Sequence, residues 1–147
     1  MKHAVSDLLA QKGNAVHSIG PDATVFDAIG TMVEKNAGSL LVMQGNEILG
    51  ILTERDYLRR VALEGRSSRS TPVRDIMTTN LVVVSPGCDL EQAMAIMTEK
   101  RIRHLPVMGD SGLDGVISIG DIVKHLSAER EAEIAYLNEY ISGRYPA

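Results

Sequence analysis

The sequence predicts a mixed α+β protein made of two copies of one small strand–helix–strand–strand–helix (βαββα) unit. Three observations carry that prediction. Residues 21–61 align with residues 86–126 at an offset of 65 without a gap, with identities such as Pro21/Pro86, Met32/Met97, Val42/Val107, Gly50/Gly115 and Asp56/Asp121. In each copy the apolar pattern switches from helical spacing to short β-type runs in the same order. Each copy spans only about sixty residues, too few to bury a good core alone. Its strands are apolar on both faces, so the two sheets are expected to pack on each other about a pseudo-twofold axis.

The elements follow in order. Val5–Leu9 reads as a short apolar-anchored helical turn, matched by Val73–Met77 at an offset of 68. A polar stretch precedes a strand over Val16–Ile19, which Pro21-Asp22 closes. Thr24 caps a helix whose apolar positions Val25, Ile29, Met32 and Val33 share one face, and Asn36-Ala37-Gly38 ends it. Leu40–Met43 and Ile48–Leu52 form a hairpin across Gln44-Gly45-Asn46-Glu47, and a helix from Glu54 to Leu63 completes the copy. Residues 65–72 are polar and aperiodic, a linker. The second copy then repeats a strand (Leu81–Val84), a helix (Asp89–Lys100) and a hairpin (Leu105–Met108, Leu113–Ser118). A final helix runs from Gly120 toward Ile141, stopped by Gly143 and Pro146. The resulting division is repeat one 1–64, linker 65–72, repeat two 73–127, and a helical extension and tail 128–147.

Composition narrows the function. Of 147 residues, 44% are hydrophobic and 23% charged, an ordinary globular balance. A formal charge of −4 and 3% aromatics make nucleic acid and anionic membrane poor partners, since neither a basic surface nor a stacking platform is available. One cysteine, Cys88, precludes an intrachain disulfide and fits a reducing compartment. The first residues contain no apolar signal core and no run reaches membrane-spanning length, so a cytoplasmic protein is expected.

The repeated stretch Gly50-Ile51-Leu52-Thr53-Glu54-Arg55-Asp56 and Gly115-Val116-Ile117-Ser118-Ile119-Gly120-Asp121 is the candidate site. Each places a hydroxyl at a strand-to-helix joint, a carboxylate in the first turn, and unpaired backbone N–H groups beside them. Such a corner suits a sugar diol on its carboxylate and a phosphate on its N–H groups. Thr53-x-x-Asp56 and Ser118-x-x-Asp121 also fit a capping box, which only starts a helix, and Thr24-x-x-Asp27 is a similar box without a partner function. Duplication favours the first reading.

With Arg103-His104-Leu105-Pro106-Val107 opening the middle strand of repeat two, these motifs resemble a tandem pair of CBS (cystathionine β-synthase-type) domains over about residues 3–127. The resemblance implies a stand-alone regulatory Bateman module that binds AMP, ADP, ATP or NAD(H) in clefts between the repeats, performs no chemistry, and dimerises with itself. A protein partner would read its state. It implies that Asp56 and Asp121 hold the ribose hydroxyls, that Thr53 and Ser118 contact ribose or phosphate, and that Arg103 and His104 neutralise phosphate, with Arg55 as a further candidate. Val16, His17, Leu81, Val82, Ile51, Val116 and Pro106 would line the adenine, with Gly38, Ser39 and Gly120 as secondary donors. Repeat one has Asn36-Ala37-Gly38-Ser39 where repeat two has Arg101-Ile102-Arg103-His104, so the clefts should differ in phosphate affinity. A fold retained for structure or interaction alone, without ligand, is the alternative.

The remaining candidates are weaker. His3, His17, His104 and His125 lack metal-ligand spacing and the cysteine has no partner, so no zinc site is expected. Cys88 precedes a helix start, which could lower its thiol pKa, although a packed small residue is the simpler reading. The tail helix, with Leu126, Ile134, Leu137 and Ile141 on one stripe, is expected to pack against a second subunit rather than fold back on its own unit.

Overall fold

Thr24 starts the first long helix, α2 (Val25–Lys35), by accepting the Asp27 N–H at 3.1 Å, and Asn36 ends it in the left-handed conformation. The computed structural model describes residues 3–141, and side chains through residue 138. The chain forms an α+β fold in two compact units. One comprises Ala15–Val82; the other joins residues 3–14 to residues 83–141. The compact units therefore differ from the sequence repeats: the leading segment of each repeat lies with the body of the other.

In the Ala15–Val82 unit, β1 (Ser18–Ile19) pairs in parallel with β2 (Ser39–Gln44), which pairs antiparallel with β3 (Glu47–Thr53). Gly45 takes a φ of +61° in the two-residue turn, as a tight hairpin requires. β3 runs into α3 (Glu54–Tyr57), which widens into a π turn over Leu58–Ala62. Val25, Ala28 and Met32 of α2 pack with Leu40, Val42 and Leu52 of the sheet and with Val73 and Ile76 of the next repeat's leading turn. The expected linker is not structureless. Thr71 and Ser68 carbonyls accept the Val25 and Phe26 N–H groups, two donors that helix geometry leaves unpaired, and Thr71 is buried.

The second unit holds α1 (Val5–Lys12), α4 (Leu90–Lys100), the antiparallel pair β4 (His104–Gly109) and β5 (Gly112–Ser118), and α5 (Ile119–Ile141). The expected stop at Gly143 and Pro146 lies outside the described residues. Duplication extends to detail. The hairpins share one register, Ser39 opposite Thr53 and His104 opposite Ser118, and both slip at the same place, Val42/Met43 and Val107/Met108. Asn36 and Arg101, also equivalent, both end their helices at positive φ.

One predicted element is corrected. Leu81–Val84 is not a strand; only Val84 bridges, in parallel, to Val107. In repeat one the Leu41 N–H donates to the His17 carbonyl at 3.0 Å. The equivalent bond in repeat two would need an N–H from Pro106, which has none, so the ladder cannot extend to Val82. The predicted first strand Val16–Ile19 is likewise reduced to Ser18–Ile19.

Candidate functional site

At the end of β3 the Thr53 backbone stays extended (φ −118°, ψ 164°), so its hydroxyl turns over the first turn of α3 and accepts the Asp56 N–H at 3.2 Å. Asp56 reaches back: its Oδ2 accepts the Thr53 N–H at 3.0 Å and the Thr53 hydroxyl at 3.1 Å. The capping-box geometry is therefore real. A third element also converges there. The Thr78 hydroxyl donates to Asp56 Oδ1 at 3.0 Å, and Thr78 is fixed by two 2.9 Å backbone bonds with Ile51 on the edge of β3. Arg60 holds the same segment by donating to the carbonyls of Ile76 and Met77. Asp56 is only 8% exposed, and two hydroxyls and one N–H donate to its buried carboxylate.

The second corner has the same box and a different third partner. Ser118 N–H donates to Asp121 Oδ2 at 2.9 Å, and the Asp121 N–H donates to Ser118 Oγ at 3.0 Å. Where Thr78 stands in the first corner, the Lys12 ammonium from the end of α1 stands here, 2.6 Å from both Asp121 Oδ2 and the Val116 carbonyl. Burial pushes the Asp121 carboxyl up, but the hydrogen bonds from Lys12 and Ser118, with the Lys12 charge, outweigh it and hold the group below the usual carboxylate range.

The motif glycines explain how the third elements reach the corners. A Cβ on Gly50 would lie 2.7 Å from the Thr78 carbonyl oxygen and 3.0 Å from Met77 Sδ. A Cβ on Gly115 would lie 2.9 Å from Leu9 Cδ2. Each glycine marks the place where a leading segment crosses its sheet.

The remaining predicted residues distribute as follows. Val16, His17, Ile51, Leu81 and Val82 all belong to the unit that contains Asp56, and Pro106 and Val116 to the unit that contains Asp121. Ser39 faces Thr53 across the hairpin, and the Gly38 carbonyl accepts the Glu54 N–H at 3.2 Å. His104 faces Ser118 in the same way, and the Arg103 carbonyl accepts the Ile119 N–H at 2.9 Å, which sets the basic pair at the Asp121 corner. Arg55, Arg103 and Gly120 are exposed. A groove of about 610 Å³ beside Gly38 is lined by Met32, Val33, Glu54, Tyr57 and Leu58. It contains neither Thr53 nor Asp56, and its apolar lining suits a packed helix better than a sugar.

Thr78 and Lys12 were not singled out by sequence reasoning. Their signal was the match between Val5–Leu9 and Val73–Met77, which marks two equivalent leading segments but not the strand each one crosses. Cys88 corrects another expectation: burial first and the Asp89 charge second push its thiol up, not down, and Sγ lies 3.4 Å from the Asp89 carbonyl.

Comparison with known proteins gives one family. Residues 5–63 and 73–128 each match the CBS domain model. A mitochondrial CBS domain-containing protein of Arabidopsis thaliana is 43% identical over 150 residues, covering 96% of this chain and 73% of its own. A solved structure from Burkholderia ambifaria, provisionally ascribed to signal transduction, is 45% identical with a TM-score of 0.80 and covers 87% of this chain and 95% of its own. A CBS-domain protein of Agrobacterium tumefaciens is 40% identical with a TM-score of 0.80, covering 84% and 98%.

Proposed function

The chain belongs to the CBS-domain family, whose tandem copies are regulatory modules, and from that premise we propose that it is a non-catalytic sensor of adenosine nucleotides. AMP, ADP, ATP and NAD(H) are the ligand class. The observation that carries this reading is the pair of hydroxyl-capped aspartates, each met by a side chain from a leading segment. At Asp56 a ribose diol would replace two threonine hydroxyl donors with two of its own, an exchange of like for like that leaves the buried carboxylate satisfied. At Asp121 the diol would release Lys12, whose ammonium, beside the Arg103-His104 end of β4, is then available to a phosphate. The two corners thus bind the same ligand class with different phosphate preference.

The unit of function in this proposal is a homodimer in a reducing compartment such as the cytoplasm. Ile134 and Leu137 on α5 and Val33 and Leu58 beside the α2–α3 groove are large, exposed apolar side chains that a second copy would cover. Among the described residues no helix is long and apolar enough to cross a membrane.

Calorimetry with AMP, ATP and NADH tests the proposal on wild type, Asp56→Ala and Asp121→Ala. Loss of charge-assisted bonds worth roughly 1.5–3 kcal/mol weakens the affected corner about ten- to a hundredfold. Both variants also lose a cap, so melting alone does not discriminate. Wild-type protein that binds none of the three nucleotides refutes the sensor reading and leaves the structural alternative; turnover of any of them refutes the absence of catalysis.

A further inference from the structure

One turn along α5 from the Asp121 corner, His3, His125 and Glu129 converge. Their candidate ligand atoms all lie within 4.8 Å of one another. His3 Nε2 is 3.1 Å and His125 Nε2 4.0 Å from the same carboxylate oxygen, Glu129 Oε2. Spacing along the chain gave no reason to expect this, because His3 precedes α1 whereas His125 and Glu129 sit one turn apart on α5. His3 is nevertheless fixed: its carbonyl accepts the Leu90 N–H at 2.8 Å, next to the Ala4–Asp89 bridge.

The second observation is the state of His125. Its side chain is 7% exposed, and its Nε2 is buried without a hydrogen-bond partner among the described residues. The other ring nitrogen, Nδ1, lies 2.8 Å from Gln11 Oε1. A carbonyl oxygen accepts only, so Nδ1 carries the proton and Nε2 presents a lone pair toward Glu129. An orphaned buried acceptor is costly, and at 4.0 Å the contact with Glu129 is too long for a hydrogen bond even were Nε2 protonated. A metal ion satisfies it. An outer amide that fixes the tautomer of a ligating histidine is a recurrent feature of metal sites.

We propose that His3 Nε2, His125 Nε2 and Glu129 bind a divalent transition metal of the zinc class, with the fourth position open to solvent. Two imidazoles and one carboxylate suit zinc, whose bonds to them are about 2.0–2.2 Å, so tetrahedral ligand atoms stand roughly 3.4 Å apart. The two separations from Glu129, 3.1 and 4.0 Å, bracket that value, and all three atoms lie within 4.8 Å of one another, so a small inward shift of the imidazoles completes the site. The ion would clip the segment before α1 to α5, along the line that carries Gln11 to His125 and Lys12 to Asp121.

Zinc titrated into the full chain against a competing chelating dye, with cobalt absorption as a report of geometry, tests this. Expected are one tight ion per chain and a tetrahedral cobalt spectrum. Affinity should fall at least tenfold in Glu129→Gln and in His3→Gln, and roughly 10–100-fold in Gln11→Ala, which touches no ion. Thermal melting without metal establishes that each variant folds, and the zinc-induced rise in melting temperature should vanish in Glu129→Gln. No zinc bound by the wild type, or zinc bound with equal affinity by wild type and Glu129→Gln, overturns the proposal.

Discussion

Gly50→Ala and Gly115→Ala are the same substitution at equivalent repeat positions, yet they should differ sharply. At Gly50 the new methyl meets the Thr78 carbonyl oxygen at 2.7 Å, closer than real Cβ contacts allow. That oxygen is main chain and accepts the Ile51 N–H at 2.9 Å, while the Thr78 N–H returns a second bond. Any retreat of Thr78 stretches both and pulls its hydroxyl from Asp56 Oδ1. Overpacking of this kind costs about 1–3 kcal/mol, and the fixed backbone puts it toward the upper end. At Gly115 the obstacle is Leu9 Cδ2 at 2.9 Å, the tip of a side chain that can change rotamer. Alanine also narrows the unfolded ensemble, a gain of about 0.4–1 kcal/mol that offsets most of the loss. With that gain counted at both sites, in urea melts Gly50→Ala should lose about 2 kcal/mol and Gly115→Ala less than about 1 kcal/mol. Equal losses, or a larger one at Gly115, would refute the claim that main chain crosses one strand and a yielding side chain the other.

Further outcomes follow from the same contacts. Lys12→Met removes the cation that helps hold Asp121 below its ordinary range. A lowered folded pKa gives stability that is present above the unfolded value, about 3.9, and is lost as pH falls through the folded one. The gap between wild type and Lys12→Met in denaturant melts should therefore be constant near neutrality and close below about pH 4, whereas a gap that persists unchanged into stronger acid would exclude the ion pair as its source. Cys88, its thiol pushed up, should react with a thiol-directed reagent more slowly than a free cysteine at pH 7.5; faster reaction would contradict its burial. Deleting residues 128–147 should halve the solution mass if α5 joins two copies, and an unchanged mass would remove α5 from the dimer.

The duplication made most of the fold legible. Shared identities placed both hairpins, all the long helices and the two capped aspartates, because each depends on local pattern: period, cap and turn residue. What escaped depended on partners far along the chain. Nothing local in Val5–Leu9 or Val73–Met77 says which sheet each segment crosses, so Lys12 and Thr78 were invisible as partners of Asp121 and Asp56. The missing strand at Leu81–Val84 is a different failure. Its own residues favour a strand, but Pro106 on the neighbouring strand cannot supply the N–H that would extend the pairing. His3, His125 and Glu129 were likewise separate until the fold joined them.

The two corners also show how a duplicated site becomes unequal without losing its motif. The hydroxyl, the carboxylate and the glycine are kept in both copies, since they build the joint itself. Divergence enters through the crossing segment, a neutral hydroxyl at Asp56 and an ammonium at Asp121, and through Ser39 against His104 on the facing strand. On the sensor reading, exchanging the third partners should exchange preferences. Lys12→Thr should weaken a triphosphate more than adenosine, because a lost phosphate contact scales with ligand charge and a lost diol contact does not. Calorimetry with adenosine, AMP and ATP on that variant separates them: uniform weakening across the three would place Lys12 in the scaffold and leave phosphate selection to Arg103 and His104.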